Sequence, residues 1–171
     1  MMFKLFPALA LTAVLAAPGA ALAGQFPPLQ SQTLNQKPVS LPQDFVGRRN
    51  ILLIAYKMQQ QSVVDSWLPF LAKAKSAHQG VEFYELPTIG GSMGFMQGFI
   101  DGGMRNGIPD SATRDHTITL YTDVAALQRA LGISGTSTIH AVVVDASGKV
   151  LASVSGPFSE GNAAKIEAAL N

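Results

Sequence analysis

The stretch Tyr56–Trp67, YKMQQQSVVDSW, joins a predicted strand to a predicted helix and decides how the chain folds. It follows the continuous apolar run Ile51–Tyr56, ILLIAY, which is typical of a strand buried on both faces. From Val63 to Ala74 the apolar residues recur every three or four positions, which predicts one face of a helix. Pro69 lies within that helix and is expected to kink it. Many α/β proteins keep their chemistry at such a turn.

The remaining segments continue this alternation of strands and helices. The polar, proline-rich residues 25–45 predict an extended lead-in with one short strand or hairpin. The other expected elements are a strand over Val81–Leu86 ended by Pro87, a strand over residues 116–121, a helix over residues 124–131 capped by Asp123 and stopped by Gly132, an antiparallel hairpin over residues 139–156 that turns at Asp145–Gly148, and a short last helix capped by Ser159. This order predicts an α/β fold, a mixed sheet flanked by helices on both faces.

Residues 88–113, TIGGSMGFMQGFIDGGMRNGIPDSAT, form an insert rich in glycine, methionine and phenylalanine. The segment is too apolar for a linker and too rich in glycine for a strong helix. We expect a weak helix near residues 93–104 with loops around it.

The first 23 residues read as a secretory signal peptide. Lys4 supplies a positive charge, an apolar core follows, and Ala21-Leu22-Ala23 forms a small-x-small cleavage site. A membrane anchor is the alternative, but the apolar run is short and ends at Pro18 and Gly19. We therefore expect a periplasmic or secreted protein in which residues 24–171 form a single domain, with no membrane span after signal removal.

Charge and cysteine content exclude several classes of function. Without Lys4, eleven basic side chains balance eleven acidic ones, so a basic surface for nucleic acid is not supported. The chain contains no cysteine, which excludes disulfides, thiol catalysis and thiolate metal sites. We expect no cofactor.

The order of elements resembles the thioredoxin-like fold over nearly all of residues 24–171. The similarity is to the exported thiol-disulfide oxidoreductase and peroxiredoxin branch, which has an extra strand and helix before the C-terminal hairpin. That family carries a CxxC motif, with a proline five residues after the second cysteine. Counting back from Pro69 places the cysteine positions at Gln61 and Val64, so the redox chemistry implied by the family is absent here.

Two further comparisons of motifs refine this resemblance. The family's cis-proline before the hairpin falls at Ile139, and we expect the Thr138–Ile139 bond to be trans, because a cis bond there would cost about 2.5–4 kcal/mol. The segment Ser66–Phe70, SWLPF, also resembles the mitochondrial ATP-synthase assembly factors, another thioredoxin-like group. That weaker resemblance implies a chaperone or assembly role.

The resemblance places the start of the first helix opposite the loop that precedes the hairpin. Lys57–Ser62 would then face Ser137–Ile139 across a shallow groove, with Thr138 on the far side. The free backbone N–H groups and the dipole of the helix start favour a carboxylate or a peptide carbonyl. Lys57, Gln60 and Gln61 would add donors. A solvated polar helix cap without a ligand is the alternative.

The insert supplies the other candidate binding residues. Met93 and Met96 alternate with Phe95 and Phe99, a composition typical of core filling or of an adaptable contact surface. With Met58 and Met104 these methionines also permit a copper(I) site.

Charged and aromatic residues elsewhere also have structural explanations. Arg105 and Arg114 would bind an anion or a partner's carboxylate, or pair with Asp101, Asp110 or Asp115. Trp67 lies on the apolar stripe and is expected in the core. The three histidines show no metal-ligand spacing and are expected to be structural. Arg114, Asp115 and His116 are adjacent on what should be extended chain, so they should not converge on one substrate.

The sequence thus predicts a non-enzymatic, redox-inactive thioredoxin-like protein that acts as a binding, chaperone or assembly factor for a protein or peptide. The alternative is a copper(I) chaperone or an enzyme that works without thiols.

Overall fold

The computed structural model describes residues 24–171, and the predicted signal peptide lies outside them. Seven strands and six α-helices alternate in this part of the chain. They are β1 (Leu29–Gln32), β2 (Pro38–Leu41), β3 (Arg49–Ala55), α1 (Gln61–Asp65), α2 (Leu68–Ala77), β4 (Val81–Gly90), α3 (Gln97–Gly107), α4 (Ser111–Asp115), β5 (Leu120–Thr122), α5 (Val124–Leu131), β6 (His140–Asp145), β7 (Val150–Ser155) and α6 (Glu160–Glu167).

The main sheet has five strands in the order β5-β4-β3-β6-β7. Strands β3, β4 and β5 are parallel, whereas β6 and β7 run antiparallel to their neighbours. Strand β3 is central, and Ile51–Ile54 have no exposed surface because they are covered on both faces. Strands β1 and β2 form a separate hairpin, as the sequence predicts for the lead-in.

Two apolar cores lie on opposite faces of the sheet. One contains Leu52 and Ile54 with residues of α5 and of the N-terminal segment, including Phe26 and Phe45. The other contains Ile51 and Leu53 with residues of α1, α2 and α6. The alternation of side chains along β3 sends successive residues to opposite cores. This confirms the predicted α/β mixed sheet with helices on both faces.

The capping and turn predictions are confirmed. Asp123 caps α5 by accepting from Ala126 N, Gly132 ends it with φ 68°, and Ser159 caps α6 by accepting from Asn162 N. In the β6–β7 turn, Gly148 has φ 85°. Each of these caps and turns depends on residues close in sequence, which is why the sequence predicts them.

The helix after β3 is broken rather than only kinked. Helix α1 ends at Asp65, α2 begins at Leu68, and Pro69 occupies the first turn of α2. Because proline has no N–H, the carbonyl of Asp65 cannot receive the usual helical hydrogen bond. Trp67 N instead donates to Val64 O at 2.9 Å, which tightens the chain at the break.

The predicted end of β4 at Pro87 is wrong, because the strand continues to Gly90. Thr88–Gly90 pair with Leu120–Thr122, whereas before Pro87 only an isolated bridge joins Glu85 to Thr117. Pro87 therefore interrupts the ladder towards β5, since it has no N–H to donate, but it does not end the strand.

The insert is more helical than predicted. A 3₁₀ segment over Gly91–Met96 leads into α3, and α4 follows after Asp110, whose side chain accepts from Thr113 N. The expectation of extended chain at Arg114 and Asp115 is thus wrong, because both belong to α4. In the part of the chain that the structure describes, no helix is long and apolar enough to span a membrane.

Candidate functional site

The turn between β3 and α1 is exposed. Lys57, Met58, Gln59 and Gln61 are all exposed, and Met58 has 89% of its surface accessible. The insert therefore leaves this turn open. The turn follows the carboxyl end of β3, and α/β proteins commonly bind ligands at the carboxyl ends of parallel strands.

Gln60 is the exception in this turn, being only 5% exposed. Its Oε1 accepts from Tyr56 N at 2.8 Å, and its Nε2 donates to Thr136 O at 2.9 Å. The side chain therefore bridges the helix start and the loop before β6. It fixes the shape of the groove floor, while Lys57 and Gln61 stand on the exposed side.

The two positions aligned with the family's cysteines differ in environment. Gln61 is exposed and donates through Nε2 to Asp65 Oδ1 at 3.0 Å, whereas Val64 is 2% exposed in the core. Across the groove Thr138 is half-buried, and Ile139 has no exposed surface. Within residues 24–171 the only cis peptide bond is Leu41–Pro42, so the predicted trans Thr138–Ile139 bond is confirmed.

The dipole of α1 contributes little to anion binding in this groove. Helix α1 has five residues and no side-chain cap at its start. Few aligned peptide units therefore contribute to its dipole, so the expected pull on a carboxylate is small. Binding at the turn would depend on side chains such as Lys57.

The insert exposes an apolar surface made by Met93, Phe95 and Phe99, named here the Phe95–Phe99 surface. Phe95 is 83% exposed, Phe99 80% and Met93 38%, while Met96 is half-buried. Gly94, Gly98 and Gly102 have open space where a Cβ would lie. The glycines next to the two phenylalanines are therefore not covered by other parts of the described chain.

Helix α3 is attached to the rest of the fold on its other side. Asp101 is 2% exposed and accepts from Tyr121 Oη at 3.0 Å, and Arg105 Nε donates to Leu34 O at 2.6 Å. Burial and the Asp101 carboxylate raise the pKa of Tyr121, so its hydroxyl keeps its proton. Phe99 is thus carried on an anchored helix, and Phe95 lies in the 3₁₀ segment that leads directly into it.

Arg114 connects α4 to the β1–β2 hairpin. Its Nε donates to Asn35 Oδ1 at 2.8 Å, and its Nη1 donates to the carbonyls of Ile108 and Pro109. Asp115 also contacts Asn35 and accepts from Lys37 Nζ at 2.7 Å. Arg114 and Asp115 therefore converge on Asn35, whereas adjacent residues of an extended chain would point to opposite faces. The hydrogen-bond acceptors found for Arg105 and Arg114 are all oxygens of this chain.

The histidines are dispersed, and no metal cluster forms among them. His78 Nε2 lies 2.6 Å from Glu167 Oε1, and His116 Nε2 lies 3.4 Å from Glu82 Oε2. Among residues 24–171 no three His, Asp or Glu side chains are grouped to hold a metal ion. The copper(I) hypothesis concerned methionines and stays a prediction.

Tyr56 and His140 form a pair that the sequence reasoning missed. The Tyr56 hydroxyl lies 2.9 Å from His140 Nδ1, and His140 Nε2 lies 3.0 Å from Ser134 O. Because a carbonyl only accepts, Nε2 carries the proton and Nδ1 accepts from Tyr56. Register brings the two residues together, since His140 pairs with Ile54 and Tyr56 follows at the end of β3.

Protonation of His140 is expected to destabilise the fold. Burial lowers the pKa of His140, although its bond to Ser134 acts in the opposite direction. The unfolded chain then binds this proton more readily, so His140 should reduce the free energy of unfolding as the pH falls below about 6.5. Chemical denaturation of the protein and of a His140→Gln variant, from pH 7 to pH 5, measures the difference. A variant that loses as much stability as the parent over this range would contradict the assignment.

Comparisons with known proteins reveal similarity in structure alone. Neither the protein-family models nor the curated proteins give a match to this sequence. Among solved structures, the thioredoxin domain of a thiol-disulfide oxidoreductase from Bacteroides vulgatus superposes with a TM-score of 0.54 at 20% identity, covering 90% of this chain and 100% of that one. A Sco-family cytochrome c oxidase assembly protein gives 0.58 at 13%, covering 86% and 94%. A candidate electron transport protein from Aquifex aeolicus VF5 gives 0.61 at 15%, covering 88% and 96%.

These similarities and the strand order define a thioredoxin-like fold. This chain has that fold without any cysteine, and the two aligned positions hold Gln61 and Val64. It therefore lacks the thiols that thiol-disulfide exchange requires.

Proposed function

We propose that this protein is an exported, redox-inactive binding or assembly factor that holds a protein partner on the Phe95–Phe99 surface. The observation that carries the proposal is the exposure of Phe95 and Phe99, 83% and 80%, where the 3₁₀ segment leads into α3, a helix anchored through Asp101 and Arg105. Contiguous exposed apolar patches on soluble proteins often mark interaction sites.

The physical basis is apolar burial on a prearranged support. Covering a phenylalanine side chain contributes about 1.5–3 kcal/mol, and aromatic residues often dominate protein interfaces. Because α3 is anchored, less conformational freedom is lost on binding than with a mobile loop. Lys57 and Gln61, on the open turn, are the polar groups that we assign to the same partner.

The proposed compartment and partner class rest on further arguments. The N-terminal segment has the features of a secretory signal, which favours the periplasm or the exterior of the cell. The similar Sco-family protein belongs to a group of cytochrome c oxidase assembly proteins, and an assembly role is one form of partner binding. A scaffold without thiols fits holding a partner better than chemically altering it.

The test compares capture of partners by the parent protein and by a Phe95→Ser/Phe99→Ser variant. Both would be used as bait in a periplasmic extract of the source organism, and each captured protein would then be titrated in purified form. We expect the variant to bind at least tenfold more weakly, because about 1.4 kcal/mol is enough for a factor of ten.

Val46→Ser provides the matched control, because Val46 is an exposed apolar residue, 75% accessible, outside the insert. It should bind like the parent, and circular dichroism should show that all three proteins are equally folded. Retention of full affinity by the double variant would refute the Phe95–Phe99 surface as the docking site.

A further inference from the structure

A second candidate site lies between α2, β4 and α4, in a groove with a volume of about 350 Å³. We name it the Glu85 groove. Its walls are mainly apolar, and it is lined by Leu68, Ala72, Lys75, Phe83, Glu85, Asp110, Ala112, Thr113, His116 and Thr117. The volume falls at the lower end of the range for ligand pockets, about 300–1,000 Å³.

Glu85 is placed in this groove by the sheet. Its backbone N donates to His116 O at 2.9 Å and its carbonyl accepts from Ile118 N at 3.0 Å, so the main chain is held against residues 116–118. Alternation along β4 puts its side chain on the same face as Phe83. The side chain is therefore half-buried and lies among the apolar walls of the groove.

Within residues 24–171 no hydrogen bond or ion pair is made by the Glu85 carboxylate, whereas its charged neighbours have partners. Lys75 Nζ lies 2.7 Å from Glu82 Oε2, and His116 Nδ1 lies 3.0 Å from Ala112 O. Asp110 accepts from the backbone and hydroxyl of Thr113. The nearby cation thus pairs with Glu82 and leaves Glu85 uncompensated. Partial burial costs the Glu85 carboxylate some of its hydration, so a cation placed beside it would stabilise its charged form.

We propose that the Glu85 groove binds a basic side chain, lysine or arginine, of a partner polypeptide. The aliphatic stem of such a residue would pack on Leu68, Ala72 and Phe83, and its cationic end would pair with Glu85. Charge complementarity selects this occupant, because Glu85 and Asp110 are both acidic and Lys75 is already paired. The inference goes beyond the proposed function and does not depend on the Phe95–Phe99 surface.

The surroundings of Glu85 disfavour its charged form. Burial raises the pKa of Glu85, and the charge of Asp65 adds to the shift. A bound cation would favour the ionised form and lower that pKa. The charged groups around Glu85 are Asp65 on α1, Lys75 on α2, Glu82 on β4, and Asp110 and His116 at the two ends of α4.

The experiment uses two capped tripeptides as probes, acetyl-Leu-Lys-Leu-amide and its uncharged analogue acetyl-Leu-Gln-Leu-amide. Binding is followed by NMR through the amide signals of Ala72, Glu85 and Thr117. We expect the lysine peptide to bind at least tenfold more tightly than the glutamine peptide. Glu85→Gln keeps the size of the side chain but removes its charge, and it should abolish that preference.

Glu160→Gln is the matched control, since it removes an exposed carboxylate in the first turn of α6. It should bind like the parent. The advantage of the parent over Glu85→Gln should also shrink as the pH falls and Glu85 gains its proton. Equal binding of the two peptides, unchanged binding in Glu85→Gln, or no saturable shifts at the three amides would each overturn the proposal.

Discussion

Replacing Trp67 with alanine is expected to lower the free energy of unfolding by about 3–5 kcal/mol, the usual cost of removing a buried aromatic side chain. Trp67 has no exposed surface and packs edge-on against Phe70 and Phe158, at centroid distances of 5.9 and 5.8 Å. Its Nε1 donates to Gly156 O at 3.1 Å. The substitution would therefore remove the indole ring from the contact between the broken helix and the segment after β7, where Phe70 and Phe158 would still pack together.

A second variant at Trp67 and a control variant show how much of the lost stability is due to the hydrogen bond of the indole ring. Trp67→Phe retains an aromatic ring but loses the hydrogen bond, leaving Gly156 O unpaired at a cost of about 1–3 kcal/mol beyond the packing change. Met58→Ala alters a side chain that is 89% exposed and should change stability by less than about 0.5 kcal/mol. Urea unfolding followed by circular dichroism is suitable, because Trp67 is the only tryptophan and fluorescence would vanish with it. A loss below 1 kcal/mol in Trp67→Ala would contradict its central role.

Replacing Gln60 with methionine is expected to destabilise the protein by about 1–3 kcal/mol for each of its two partners that becomes unsatisfied. Methionine has a similar volume, but it has no donor for Thr136 O and its sulfur is only a weak acceptor for Tyr56 N. Water from the exposed turn can satisfy part of this loss, so the total should lie near the value for one group. The groove between the turn and the loop before β6 would then be free to widen.

Hydrogen exchange locates the effect of the Gln60→Met substitution. Amides of residues 57–60 and 136–138 should exchange faster, while the buried strand β6 should keep its protection. Gln59→Met is the control, because Gln59 is exposed in the same turn. Equal exchange in Gln60→Met and the parent would show that Gln60 does not hold the two segments together.

Much of the fold could be predicted from the sequence because its signals are local. The apolar run before Tyr56, the cap at Asp123, the left-handed Gly132 and the turn at Gly148 each depend on a few adjacent residues. The prediction at Pro87 failed because the effect of a proline depends on which neighbouring strand its missing N–H would face. Helix α4 was missed because its N-cap, Asp110, precedes only five helical residues.

The candidate site was less predictable, since its bonds join distant parts of the chain. Gln60 bonds to a carbonyl 76 residues away, and Arg105 to one 71 residues away. A glutamine or arginine in a sequence offers several donors, and nothing local identifies the acceptor. Lys57, Gln60 and Gln61 therefore looked equivalent, although only Gln60 is buried.

The sequence by itself determined most of the order of strands and helices, which resembles the thioredoxin-like fold, and the lack of thiols, because strand and helix patterns are local and the absence of cysteine is a matter of composition. Only the tertiary structure decided which polar groups are used internally and which remain available. Gln60 and Arg105 are used internally, because each side chain donates to a backbone carbonyl in a distant part of the chain. The same packing leaves Phe95 and Phe99 in water and the Glu85 carboxylate without a partner, because exposure is a property of the assembled layers rather than of any segment.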